Sequence, residues 1–485
     1  MTTPHHGFSG PKCWAVSAAV GLALGLLLSF LIPAHVEHGH PVVPLWLVAP
    51  FALLLGSIAL MPFIAPRFWH AHYPDFAFLL GGVTAGYYLF AFTMPHGAPA
   101  GGGGGGSYGA HAMLHALIEY YSFIALVGGL FVVSGTILIE TRARGHVVSN
   151  CFILIAGAIL ANVVGTTGAS MLLIRPYMRI NRGRLFSVHI IMFILVVSNC
   201  GGCLTPIGDP PLYLGYLKGV PFSWTFTHLW PEWLFVCGCL VAILAVLDTI
   251  IERNIRAAGH VDRHPEPRTG PLIRISGTPG LVCLPLMVLG VFIDPMLKKF
   301  AGIEGIPIGA TFQIAVAVVA YRLASDRILA ANNFTFGPVI EVGCLFAGIF
   351  ASMVPALAYL AEHGKQLGID TPTAFHFGTG ALSAVLDNAP TYLNFLQVAI
   401  GPTEITPASI ATLIADPAGN TLLCAISTGA VFFGAMTYIG NGPNFMVKAI
   451  ADNAGVRMPS FFGYLARASL ILLPVLILNW ALFIR

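Results

Sequence analysis

Two acids stand where a chain this apolar should not hold them. Asp209 lies in "LTPIGDPPLYL" (204–214) and Asp387 in "SAVLDNAPTYLNF" (383–395), each among apolar residues and close to prolines. An ionisable group inside a membrane-length apolar run is expensive and marks an ion path or proton relay by default. The competing account is structural. Asp is a good helix N-cap and Pro suits the first helical position, so Asp209 also reads as the cap of a half-helix starting at Pro210. In that reading the preceding half-helix ends near Gly208.

Neutral polar residues surround both acids. Ser198, Asn199, Thr205 and Gly208 precede or adjoin Asp209, and Asn388 and Thr391 follow Asp387. Asn162, Gly165, Thr166 and Thr167 (with Ser170) form another such cluster, and Thr437, Gly440, Asn441 and Asn444 a fourth. Hydroxyl and amide oxygens together with freed backbone carbonyls suit a hard monovalent cation such as sodium; Asn and Thr also suit a substrate carboxylate. Asn162, Thr166, Asp209, Asp387 and Asn388 are the candidate sodium ligands, with a proton competing at the two carboxylates. Helix breaking and packing are the bland account of the same residues.

Other polar groups carry less. Cys200-Gly-Gly-Cys203 has the spacing of a redox or metal clip, but small residues at that spacing also permit close helix contact. The cluster His35, Glu37, His38 and His40 reads as a solvated loop, with metal binding or pH sensing as the alternative, and His70, His72 and His111 look incidental. Glu341 either snorkels to a surface or serves as a relay. There is no phosphate loop, catalytic triad or zinc-ligand pair at helical spacing, so the expectation is a non-enzyme with no cofactor.

The elements that must position these residues are membrane helices. Of the 485 residues 56% are hydrophobic and only 9% charged, far below the quarter typical of soluble domains. The formal charge of +3 does not point to nucleic acid, because the basic residues sit in short loops. The partners implied are the bilayer and a small inorganic cation or organic anion. Eleven apolar spans are expected, at 13–32, 43–65, 77–94, 112–139, 184–206, 230–251, 277–297, 308–321, 334–360, 421–439 and 460–483. Two further stretches, 147–175 and 374–400, are broken near their middles and are expected to enter the membrane and return. Arginines cluster in alternate connections, including Arg67, Arg142, Arg144, Arg175, Arg179, Arg182 and Arg184, so the N-terminus is expected inside and the C-terminus outside. Lys298, Lys299 and Lys365 run against that bias. Residues 97–110 read as a flexible external linker.

The chain also repeats itself. "GCLTPIGDPP" (202–211) aligns without gaps with "GAMTYIGNGP" (434–443), placing Asp209 opposite Asn441. Upstream, "LANVVGTTGAS" (160–170) aligns with "LDNAPTYLNFL" (386–396) through Leu160/Leu386 and Asn162/Asn388. Five spans separate the broken stretches, so the two open to opposite faces, the geometry of an inverted repeat. The fold expected is an all-α polytopic membrane protein with two inverted repeats, two re-entrant hairpins and two unwound helices. Its units are N-terminal scaffold and dimerisation helices (1–140), a first repeat core (141–251), a cytoplasmic linker (252–275), second-repeat scaffold helices (276–373) and a second repeat core (374–485).

"SNCGGCLTPIGDPPLYLGYL" (198–217) resembles the signature of the ion transporter superfamily, which includes NhaD-type sodium/proton antiporters, citrate transporters, divalent-anion/sodium symporters and arsenite permeases. The whole chain is most similar to a bacterial branch of citrate transporters or sodium:proton antiporters. The resemblance implies an inner-membrane homodimer in which a transport domain moves, elevator-fashion, against a scaffold. It also places the hairpin tips at Asn162–Ser170 and Asp387–Tyr392, and the unwound segments at Thr205–Asp209 and Thr437–Asn441. The Ser-Asn-Thr signature of dicarboxylate symporter tips is absent from both. With two membrane acids, the expectation is sodium/proton antiport; the alternative is sodium- or proton-coupled symport of citrate or a related carboxylate.

Overall fold

The computed structural model describes residues 10–32, 35–37, 40–93, 107–141, 145–257, 273–302 and 305–485. The linker before 107, Arg142, Arg144, His38 and the middle of the 252–275 connection lie outside them. In chain order the helices are α1 (Pro11–Leu31), α2 (Ala49–Ile64), α3 (Pro66–Ala91), α4 (Tyr108–Gly135), α5 (Val147–Ile180) and α6 (Ser187–Val196). Next come α7 (Pro210–Leu217), α8 (Phe222–Ala257), α9 (Thr278–Ala301), α10 (Ile308–Arg322), α11 (Asp326–Ala331) and α12 (Gly337–His363). The last six are α13 (Pro372–Val385), α14 (Asn388–Ile400), α15 (Pro407–Ala415), α16 (Pro417–Phe433), α17 (Gly442–Asn453) and α18 (Phe461–Asn479).

Among the described residues ten helical stretches are long and apolar enough to cross a membrane. The protein is an all-α polytopic membrane protein. One of the ten is α5, which turns back on itself; α3, whose first turns carry Arg67, His70, His72 and Asp75, and the 15-residue α10 complete the match to the eleven expected spans. Among the described residues strand is confined to two ribbons: β1 (His35–Glu37) with β2 (His40–Val42), and β3 (Leu138–Thr141) with β4 (Ile273–Ser276), each pair antiparallel. The histidine-rich segment expected as a loop is thus part of a ribbon. The far end of the 252–275 connection is likewise a strand, with Arg274 opposite Glu140.

Both broken stretches are hairpins. In α5 only Gly165 leaves helical geometry, at φ 76 and ψ 156, a conformation open to glycine and costly for other residues. Its arms then run side by side, so that a Cβ on Gly157 would lie 3.1 Å from Leu173, while the Gly145 amide donates to the Ile180 carbonyl at 2.9 Å. The second hairpin is α13 and α14, turning at Leu386 and Asp387; a Cβ on Gly378 would stand 3.1 Å from Phe395. Asn388–Tyr392, expected at the tip, form the first turn of α14.

The unwound helices are longer breaks than the sequence suggests. The half-helix expected to reach Gly208 stops at Val196; a 3-10 turn over Cys200–Leu204 and an irregular stretch follow before α7. The second break holds a 3-10 turn over Gly434–Met436, and α17 starts at Gly442, one residue before Pro443. Cys200 and Cys203 are buried free thiols. Cβ atoms on the glycines between them would lie 2.6 Å from the Ala158 Cα and 2.5 Å from Thr166, so this segment follows the close-packing account.

The packing is crossed. α6 starts beside the base of the first hairpin, and past its break α7 leaves against α14, ending where Gly219 abuts Pro407 near the base of the second. Past its own break α17 packs on α5 and α6. Each broken helix therefore runs from one hairpin to the other, as hairpins entering from opposite faces require. α1, α2, α3, α4, α9, α10 and α12 pack as a second body, touching the hairpin body chiefly through α4 against α5 and α12 against α14. Within it α1 and α3 approach closely at Gly21, Gly25, Gly82 and Gly86, small residues four apart on each helix.

Candidate functional site

Asp209 is the residue on which the breaks and hairpins converge. It is 1% exposed. Thr166 Oγ1 from the first hairpin donates to its Oδ1 at 2.8 Å, and Asn441 Nδ2 from the second break donates to the same oxygen at 2.8 Å. Asn388 Nδ2 from the second hairpin donates to Oδ2 at 2.7 Å. All three donors are neutral, and Asp209 has no salt-bridge partner among the described residues. Asp209 stands at the N-cap position of α7, but its side chain caps nothing there. The capping account of this residue is thus corrected: its oxygens are spent across the site.

Asp387 behaves in the opposite way. It is half-buried and caps α14, accepting the Ala389 amide at 3.0 Å, while its carbonyl accepts Thr391 Oγ1 at 2.8 Å. The neighbouring Asn388 Oδ1 is buried without a partner among the described residues.

The other candidates form the shell that holds the breaks open. Asn162 donates to the Ala158 and Gly201 carbonyls at 2.9 and 2.7 Å and accepts the Leu204 amide at 2.8 Å. Its own carbonyl accepts Thr205 Oγ1 at 2.6 Å. The Thr166 amide donates to the Gly208 carbonyl at 2.8 Å, pinning the hairpin tip to the first break. Thr437 accepts the Gly440 amide at 3.1 Å and donates to the Ala384 carbonyl at 2.6 Å. Between the breaks, Asn199 donates to Asn444 Oδ1 at 2.6 Å and accepts Asn441 at 3.2 Å; Asn444 donates to the Gly434 and Thr437 carbonyls. Ser170 and Ser198 share a hydrogen bond of 2.7 Å. Backbone groups released by unwinding are therefore met by amide side chains, as burial in an apolar medium demands.

A narrow cleft, with room for little more than a water molecule, reaches this centre. Gly165, Thr166, Thr167, Gly208 and Asp209 form one wall, and Leu126, Val127, Leu130 and Tyr213 the other. The site so opens on the seam between α4 and the first hairpin. Among the described residues no group of three or more His, Cys, Asp or Glu is placed to hold a metal. The oxygens that could hold a monovalent cation are those of Asp209, Thr166, Thr167 and Asn388.

Three features escape the sequence reading. Leu126, Leu130 and Tyr213 look like ordinary lipid-facing residues until the cleft puts them opposite Asp209. Glu232 on α8 is 3% exposed with Oε2 unpartnered among the described residues, and its neighbour Trp233 donates to the Gly201 carbonyl at 2.8 Å. An acid within an apolar run was the available signal. At the base of the first hairpin, buried Asp248 pairs with Arg184, accepts Asn150 at 2.7 Å and lies 3.1 Å from His189. Arg184, read as a loop charge, is thus part of a buried clamp. Glu341 is half-buried on α12, away from the hydrogen bonds around Asp209.

Comparison with known proteins agrees with this architecture. Residues 40–484 match the family described as "Putative citrate transport". An uncharacterized transporter of Mycobacterium tuberculosis is 26% identical over 343 residues, covering 68% of this chain and 75% of that protein; one from Mycobacterium bovis matches equally. A "46 kDa membrane protein" of Mycobacterium leprae is 24% identical over 338 residues, covering 65% of this chain and 72% of that protein. With nearly its whole length matched, the chain belongs to this family of membrane transporters.

Proposed function

We propose that the protein is a secondary active transporter in which Asp209 binds the coupling ion, and that it exchanges sodium for protons. The observation that carries this reading is the Asp209 carboxylate, buried at the meeting point of both hairpins and both breaks with only neutral donors around it. A buried carboxylate without a countercharge calls for a cation or a proton, and one group serving both in turn couples their movements. The α4–α5 and α12–α14 seams are the surfaces on which a transport body would slide against a scaffold, giving alternating access.

A second reading is cation-coupled symport of citrate or a related carboxylate. The helices α7, α14 and α17 all begin at the site, and their positive ends favour an anion. Purified protein in liposomes separates the two, with internal pH and labelled citrate followed while sodium, lithium and potassium are varied. Antiport gives cation-driven proton movement without citrate; cation-dependent citrate uptake with no such exchange overturns it. The proposed orientation in a bacterial inner membrane has the N-terminus inside. Single cysteines replacing Gly104 and Gly259, both outside the described residues, should react with an impermeant thiol reagent from outside and only after permeabilisation, respectively.

A further inference from the structure

The fully buried acids near the first break have side-chain partners, with one exception. Asp209 accepts three hydrogen bonds, Asp248 pairs with Arg184, and Glu119 on α4 lies 2.6 Å from Lys218. Glu232 on α8 does not follow them. It is 3% exposed, and its Oε2 is shielded from solvent without a hydrogen-bond partner among the described residues. Leu229 and Val236, one turn before and after it, are buried on the same helix face. Of the elements packed on α8, the first break brings the Cys203 thiol and α16 the Cys424 thiol within electrostatic reach of Glu232. Neither thiol offers a positive charge. Among the described residues α5, α6 and α18 bring no Lys, Arg or His to it.

Bonds to the backbone that the ion site also uses hold Glu232 in place. Its neighbour Trp233 donates from Nε1 to the Gly201 carbonyl at 2.8 Å, and the same carbonyl accepts Asn162 at 2.7 Å. Two turns earlier on α8, Thr225 Oγ1 donates to the Leu204 carbonyl at 3.0 Å, while the Leu204 amide donates to Asn162 Oδ1 at 2.8 Å. α8 and the first hairpin thus grip the first break at the same two residues, on the segment that ends at Asp209. A change of shape in this break reaches both carboxyls. A carboxylate buried without a countercharge is costly, and the neutral acid avoids most of that cost. A proton also needs no cavity, unlike any larger ligand.

We propose that Glu232 is a second proton-binding carboxyl, separate from Asp209, that gains and loses its proton as the first break changes shape during transport. The proton comes from water and returns to water, and the only bond made or broken on the protein is the O–H of the carboxyl. This role in the cycle rests on the reading of the protein as a proton-coupled transporter. Two carboxyls tied to one break would let more than one proton move for each cation.

The test uses the full-length protein in nanodiscs and reads the infrared band of protonated carboxylic acids at neutral and alkaline pH. Wild type should show an acid component at neutral pH that Glu232→Gln removes and Asp209→Asn leaves in place. That component should give way to carboxylate on alkalinisation. Where Glu232→Gln reduces folding, wild type alone carries the test. An apolar carbodiimide, which attacks protonated carboxyls, should modify Glu232 at neutral pH, as mapped by mass spectrometry. The modification should fall about tenfold over one pH unit once the acid form gives way. In liposomes, Glu232→Gln should lower the number of protons moved per cation, a ratio that a merely structural group would leave unchanged even while slowing transport. Absence of both the acid component and the carbodiimide adduct at neutral pH overturns the proposal. So does an acid form that persists on alkalinisation, or an unchanged ratio where exchange is present. Infrared and labelling read protonation at equilibrium, without transport. A titrating Glu232 in a protein that shows no sodium/proton exchange therefore overturns the antiport reading and leaves the proton site standing.

Discussion

The two unwound segments share a sequence pattern and differ by one charge. At the first break stands Asp209, at the equivalent point of the second Asn441, and the two touch, with Asn441 donating to Asp209 at 2.8 Å. Neither caps the helix that follows it. Two aspartates here would set two carboxylates against each other in a buried space; two asparagines would leave no charge to couple an ion. Duplication supplies matched scaffolds, and the difference in charge at this position turns the pair into donor and acceptor. Asp387 marks the other limit, an acid of the same chemistry that is spent on an ordinary helix cap.

The sharpest way to break this comparison is to erase the charge. Asp209→Asn keeps the shape and should give folded protein whose sodium/proton exchange falls by about a hundredfold or more, the factor that matches loss of roughly 3 kcal/mol of ion binding. Unchanged exchange in liposomes would reduce Asp209 to a structural group. Asn441→Asp tests the other side. It removes a donor and faces Asp209 with a like charge, so thermal unfolding in detergent should show a loss of about 3 kcal/mol at neutral pH. Acidification should restore part of that loss, because protonating one carboxyl removes the repulsion. The double variant Asp209→Asn, Asn441→Asp moves the charge across the pseudo-two-fold and should regain most of that stability.

Smaller effects sharpen the picture. Asn162→Ala strands the Leu204 amide and Gly201 carbonyl in a buried break, and should cost about 2 kcal/mol by the same unfolding measurement. Asp387→Asn retains a capping oxygen and should change stability by about 0.5 kcal/mol or less. Its exchange activity should remain well above that of Asp209→Asn; equal loss in the two would show that both acids carry the ion.

Much was legible because membrane constraints act locally along the chain. A bilayer demands long apolar helices, and a break in one demands Gly, Pro, Asn or Thr, so the spans, both hairpins and both unwound segments could be read from residue type and order. The repeat "TPIGDPP" and "TYIGNGP" likewise named the residues at the centre, since duplication writes symmetry into the sequence itself.

The division of labour among those residues was not written there. Asp209 and Asp387 look alike in sequence, each followed by a helix that an aspartate could cap. Which of them caps and which faces the site depends on where Thr166, Asn388 and Asn441 arrive, from segments 43, 179 and 232 residues away. Arg184 and Arg175 both read as charges flanking a span, yet the first meets Asp248 while the second keeps one guanidinium nitrogen buried without a hydrogen-bond partner among the described residues. Composition and local order fix what a segment must be in a bilayer. Only the tertiary fold decides which polar groups find each other, because a buried charge takes its meaning from partners that the chain brings in from elsewhere.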